Sequence, residues 1–167
     1  IPDASGGTIT TYFKFESLPA RGKILLGSRD VVNEDFLIYL TAGNEWVVEI
    51  GVTNDSTGVS FTDTDNWYEA FFSWTSSTYE FKIRIVGTTS WQTIASGNYT
   101  GSLPSVQNIY VGGYNNQGSF SSGQGVNVKI CNFKIDGVLR YSISEGSGST
   151  VYDTLNNGNH GTAVNSP

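Results

Sequence analysis

Tyr79-Glu-Phe-Lys-Ile-Arg-Ile85 is the stretch from which the architecture follows. Tyr79, Phe81, Ile83 and Ile85 fall on one side of an extended chain, and Glu80, Lys82 and Arg84 fall on the other. Apolar and charged residues alternating with a period of two predict a strand with one face in a core and the other in water. The chain opens on the same pattern, with Ile9, Thr11, Phe13 and Phe15 set against Thr10, Tyr12, Lys14 and Glu16. Where Gly and Pro are absent for long enough, as from Val59 to Val86, the segment is full of Thr, Val, Ile, Phe, Tyr and Trp. These lose rotamer freedom in a helix and pack well on a pleated surface. Helices are hard to place anywhere.

Working outward, further strands are expected near Lys23–Gly27, Phe36–Thr41, Glu45–Val52, Val59–Thr62, Tyr68–Thr75, Trp91–Ala95, Ile109–Tyr114, Val126–Ile135 and Val138–Ile143. Short ones follow at Thr150–Tyr152 and Thr162–Val164. Turn residues separate them at Ala42-Gly43-Asn44, Thr75-Ser76-Ser77 and Asp136-Gly137. Along Val126–Ile135 the alternation slips, because Val126, Val128 and Ile130 share one face while Phe133 and Ile135 belong to the other. One extra residue near Ile130–Asn132, a β-bulge, would restore the register. So many short strands predict an all-β chain built as a two-sheet antiparallel sandwich.

At 167 residues the chain suits a single domain over 1–167, large enough for a two-layer core. Lys and Arg number 9 against 15 Asp and Glu, a net charge of −6 with no basic cluster, so nucleic acid is not an expected partner. Cys131 has no second cysteine to pair with, and in an apolar strand it reads as a small buried hydrophobe. No run of 18 apolar residues exists, and membrane insertion is not expected. The chain starts at Ile1 and has no methionine, which points to a fragment or processed part of a longer protein.

The closing stretch Ser144-Glu-Gly-Ser-Gly-Ser-Thr-Val-Tyr-Asp-Thr-Leu-Asn-Asn-Gly-Asn-His-Gly161 sets a turn, a short strand and a second turn in rapid succession. It resembles a pattern of laminin-G-like domains in the concanavalin A-like lectin/glucanase superfamily. Asn66-Trp-Tyr-Glu-Ala-Phe-Phe-Ser-Trp74 is similar to that family's central strand. Ile109-Tyr-Val-Gly-Gly-Tyr114 with Val128-Lys-Ile-Cys-Asn-Phe-Lys-Ile135 resembles its last core hairpin. The resemblance implies a jelly roll that binds carbohydrate or a protein receptor on a rim or concave face. In the family this motif often opens the domain, whereas here it closes it. That order resembles segments of phage tail and virion proteins, where the final strand can pair beside the first. A virion or extracellular location, with a cell-surface glycan and other virion or parent-protein subunits as partners, follows from the resemblance.

Catalysis finds little support. Glycanases of this superfamily resemble one another in a strand carrying Glu-x-Asp-x-(x)-Glu, which is absent here. Glu45 and Glu49 on one strand face would lie about 13 Å apart, too far for the pairs of about 5–5.5 or 6.5–9.5 Å that glycoside hydrolysis uses. Asp63 and Asp65 would lie about 7 Å apart if extended, but Thr62-Asp-Thr-Asp-Asn66 reads as a turn. His160 is the only histidine and reads as a turn position; a triad would need Asp153 or another carboxylate to orient it. No cofactor is required. Structural calcium is conceivable at Asp153, Asn156, Asn157 and Asn159, or at Asp63 and Asp65, although Asx side chains capping their own turns account for both groups as well.

Sugar binding calls for aromatic platforms beside amides, carboxylates or backbone groups. Phe13, Phe72, Trp74 and Phe81 lie on strand faces and are expected in the core. Trp46, Trp91, Tyr114 and Phe120 lie at strand ends or in loops, which favours exposure. Tyr114-Asn115-Asn116-Gln117, in a Gly/Ser/Asn-rich rim from Gly112 to Gly125, places an aromatic next to three amides. Two sequons, Asn54-Asp-Ser56 and Asn98-Tyr-Thr100, matter only in a eukaryotic secretory setting.

Overall fold

The structure is a computed structural model and describes residues 5–18, 23–29, 35–101, 103, 110–112, 115–116, 119–120, 128–136, 139–141, 150–151, 154–155 and 161–162. Among them the regular elements are all strands: β1 (Gly6–Phe15), β2 (Lys23–Arg29), β3 (Asp35–Leu40), β4 (Glu45–Gly51), β5 (Thr53–Ser60), β6 (Tyr68–Thr75), β7 (Thr78–Ile85) and β8 (Gln92–Asn98). Short strands follow: β9 (Tyr110–Val111), β10 (Asn115–Asn116), β11 (Ser119–Phe120), then β12 (Val128–Ile135), β13 (Leu139–Tyr141), β14 (Thr150–Val151) and β15 (Gly161–Thr162). No helix among the described residues is long and apolar enough to cross a membrane.

Two sheets face each other. The first runs β13-β12-β1-β6-β7-β8, and the second β11-β10-β2-β3-β4-β5 with β9 also on the free side of β2. Neighbours are antiparallel throughout except at β10, which lies parallel to β2 with Asn115 opposite Ser28. The last strand β15 pairs with β14 in a hairpin of its own, while both sides of β1 are filled by β6 and β12. Among the described residues β15 therefore does not lie beside β1.

Alternation decides which side chains meet between the layers. Phe13, Phe72, Trp74 and Phe81 are buried, as their strand positions predict. Trp46 corrects the expectation of exposure: it is 0% exposed. It shares the inner face of β4 with Val48 and Ile50, and its indole meets Phe13, Phe61 and Phe81 edge-on at 5.2–5.9 Å. A residue near a strand's start is as deep as its partner, and Trp46 pairs with Leu40, itself fully buried. Each such side chain contributes roughly 1.5–3 kcal/mol relative to exposure, and the edge-to-face pairs add to that.

Three local features place the sheets. The expected bulge lies in β12: Thr10 pairs with Lys134 and Tyr12 with Cys131, so Asn132 and Phe133 together oppose Thr11. Asn132 takes the left-handed conformation, φ 52°, which Asn tolerates better than most residues. At the β4–β5 turn, Gly51 has φ 59°, and a Cβ there would stand 2.1 Å from the Thr100 carbonyl oxygen. That carbonyl accepts from the Val52 amide at 2.9 Å, so only glycine lets the two segments meet. β5 itself extends well before the expected Val59–Thr62 strand. Its Thr-Asn-Asp-Ser-Thr run has a turn-like composition, yet it pairs along β4 and alternates half-buried with exposed positions.

Candidate functional site

The outer face of the first sheet, turned away from the core, collects chemistry that the sequence lists far apart. Register assembles it in rows. Cys131, Tyr12, Glu69 and Arg84 stand side by side across β12, β1, β6 and β7. The next row is Lys134, Thr10, Phe71, Lys82 and Thr93, continuing onto β8. Trp91 immediately precedes β8 and completes the corner. Its ring lies 4.3 Å from the Arg84 guanidinium and 6.0 Å from the Phe71 ring at 65°. Lys82 Nζ stands 4.5 Å from the Phe71 centroid and 5.6 Å from that of Trp91.

Both cations are neutralised in place. Arg84 donates through Nε at 2.7 Å to Glu69 Oε2, with its terminal nitrogen 2.5 Å from the same oxygen. Lys82 donates to Glu80 Oε2 at 2.9 Å. The four side chains retain 17–39% of their surface in water, and Trp91 is half-buried, so all can be reached from solvent. Such pairs hold the charged groups over the aromatic rings, where cation–π attraction contributes about 0.5–1 kcal/mol at exposed sites. The arrangement is an aromatic platform ringed by fixed donors and acceptors.

No protein-family model matches this sequence, and no curated protein matches it. Solved structures do. The mouse laminin alpha1 chain, domains LG4-5, superposes with a TM-score of 0.59 at 15% identity, covering 81% of this chain and 36% of that one. Trypanosoma rangeli sialidase, in complex with 2,3-difluorosialic acid, superposes with a TM-score of 0.55 at 15% identity, covering 79% of this chain and 21% of the sialidase. The fold is a concanavalin A-like, laminin G-like jelly-roll sandwich. At these identities the likeness extends to fold alone, and this chain spans about a third of the laminin fragment and a fifth of the sialidase.

Within the sandwich, the remaining candidates separate. Asn115 and Asn116 form β10 and Phe120 closes β11, so the expected rim loop contains a two-residue hairpin at the β2 edge of the second sheet. Tyr114, Gln117, His160, Asp153, Asn156, Asn157 and Asn159 lie outside the described residues. Trp91 was legible as an aromatic at a strand end. Its partners Phe71, Lys82, Arg84 and Glu69 were missed, because three strands must be in register before they meet; the alternating outer face of Tyr79–Ile85 was the one signal toward them.

The carboxylates weighed for catalysis or calcium have structural partners. Asp63 accepts from the Asp65 and Asn66 amides at 2.7 and 3.1 Å, from the Asn66 side chain at 2.8 Å and from the Tyr68 hydroxyl at 2.8 Å. The Asn66 bond leads in holding its carboxyl down to about 2. Four donors on two oxygens make it a turn cap, with its lone pairs already engaged. Glu45 accepts from Ser56 and the Gly58 amide, which keep it below the usual carboxylate range, and Glu49 accepts from Tyr39 and Asn54. Among the described residues no three His, Cys, Asp or Glu side chains gather where a metal ion could sit. Cys131 is half-buried, and burial pushes its thiol up.

Proposed function

We propose that this chain is a non-catalytic, lectin-like domain that binds carbohydrate. The observation that supports it most is the solvent-reachable Trp91 platform, with Phe71 beside it and charged donors and acceptors fixed around it. An aromatic face and convergent polar groups are what a sugar's C–H face and hydroxyls require. The backbone hairpin Asn115–Phe120 is a second candidate contact, with Tyr114, Asn115, Asn116, Gln117 and Phe120 as its residues. The engagement of Asp63, Glu45 and Glu49 in turn and strand contacts supports the absence of hydrolysis.

The fold neighbours fit this reading: one belongs to a laminin chain and another to a sialidase solved with 2,3-difluorosialic acid. The whole of 1–167 is then one domain of a longer protein. A phage virion or tail protein is the parent we favour, on the sequence motif that closes the chain, with other virion subunits as partners. A binding module of a secreted bacterial enzyme or adhesin is the alternative. A glycan array probed with the purified chain at high concentration tests the proposal. Selective retention of one glycan class is expected, without release of reducing sugar. Failure to retain any glycan would leave a decoration or oligomerisation domain in its place.

A further inference from the structure

The platform's charge arrangement narrows the ligand. Resting on the carbohydrate reading above, we infer that the outer-face site at Trp91, Glu69, Arg84 and Lys82 takes a neutral pyranose rather than an acidic sugar. Recognition of a carboxylated or sulfated glycan by side-chain charge is favoured by a cation not already neutralised. Here Arg84 is held by Glu69 at 2.5–2.7 Å and Lys82 by Glu80 at 2.9 Å. An acidic sugar would have to bring its charge beside Glu69 and Glu80, which already neutralise these cations, on a chain whose net charge is −6.

The same pairs suit hydroxyl groups. Both Arg84 contacts converge on Glu69 Oε2, so among the described residues Oε1 of Glu69 has no donor. That oxygen accepts from a hydroxyl while the remaining guanidinium N–H groups donate to its neighbour. A pyranose hydroxyl can do both. Arg84 occupies one side of the indole at 4.3 Å, which fixes the ring in place for an apolar sugar face to stack on what remains exposed. Thr10 and Thr93, on the Phe71 row, supply further hydroxyls within the same surface.

Amide chemical shifts of the isotope-labelled wild-type chain, titrated with methyl glycosides of glucose, galactose, mannose and N-acetylglucosamine and separately with glucuronic and N-acetylneuraminic acids, test this. Shifts centred on Glu69, Lys82, Arg84 and Trp91 are expected with at least one neutral glycoside and not with the acids. Affinity should change by less than about twofold between low and high salt, since no net charge pairing forms. Trp91→Ala should weaken binding by about tenfold or more. Glu69→Gln releases Arg84 and should let glucuronic acid bind where it did not before, a gain that loss of folding cannot mimic. Shifts confined to residues 110–120 would overturn the site while the carbohydrate reading stands. A preference for the acids in the wild type would overturn the ligand class, and no response to any sugar would remove both proposals.

Discussion

Asp63 shows how much a single exposed turn can depend on one ionised group. Its two oxygens cap two backbone amides and hold the Asn66 and Tyr68 side chains, and Lys14 ties the same turn through the Asp65 carbonyl at 2.7 Å. The carboxyl titrates near 2 rather than its ordinary 3.8. A depressed folded-state value means that its stabilisation is complete above 3.8 and disappears as pH falls toward 2. Allowing for its contact with solvent, that contribution is on the order of 1–2 kcal/mol. Asp63→Asn should therefore lower the urea midpoint at neutral pH, and the gap from wild type should close as pH drops through this window. A gap that stays constant with pH would refute the account. At this scale the turn itself was readable, since Asp-Thr-Asp-Asn favours local side-chain-to-backbone bonds. Trp46 was misread because its position at a strand start was weighed above its period-two company with Val48 and Ile50.

Strands whose alternation is apolar against charged were legible to within a residue or two: β6 and β7 match their expected limits closely. β5 was not, because periodicity reports burial, and an edge strand buries little on either side. What holds β5 is its ladder to β4, with contacts such as Thr57 Oγ1 to the Trp46 carbonyl at 2.9 Å. None of these is visible as a hydrophobic signal. The β12 bulge was legible for the opposite reason, since the core takes Val128, Ile130, Phe133 and Ile135 on one face, which an unbroken period of two cannot give. That demand makes a test. Asn132 sits at φ 52°, where a β-carbon costs roughly 1–2 kcal/mol and Asn or Gly least. Asn132→Gly should leave stability within about 0.5 kcal/mol of wild type, whereas Asn132→Val should lose at least about 1 kcal/mol in denaturant titrations. Equal stability of the two variants would mean that the bulge is not constrained at this residue.

Across the whole molecule the two sheets are joined by apolar packing in the middle and by the Tyr79 hydroxyl toward the β5–β8 side, while two further tyrosine hydroxyls tie turns to the first sheet. Tyr79 on β7 donates to Asp55 on β5 at 2.5 Å, a bond from one layer to the other. Tyr99 is buried beyond β8 and donates to the Thr75 carbonyl at 2.7 Å, while its backbone amide bonds to the Ser77 carbonyl. Tyr68 reaches Asp63 from beneath the aromatic cluster. Each hydroxyl works only while protonated. Burial is the leading cause that pushes all three above the usual 10, Tyr68 to about 12, and Asp55 and Asp63 raise Tyr79 and Tyr68 further. A raised folded-state value places the stabilisation below 10 and its loss above it, because the unfolded chain then releases protons that the folded chain keeps. Stability should thus fall steeply as pH rises from 10 to about 12. Phenolate absorbance should show these three tyrosines ionising only together with unfolding. Tyr79→Phe should reduce stability at neutral pH by about 1–2 kcal/mol, mostly by leaving Asp55 without its partner across the layers, and should make the alkaline decline shallower. Normal titration of all nine tyrosines in the folded protein would show that the fold holds without these bonds.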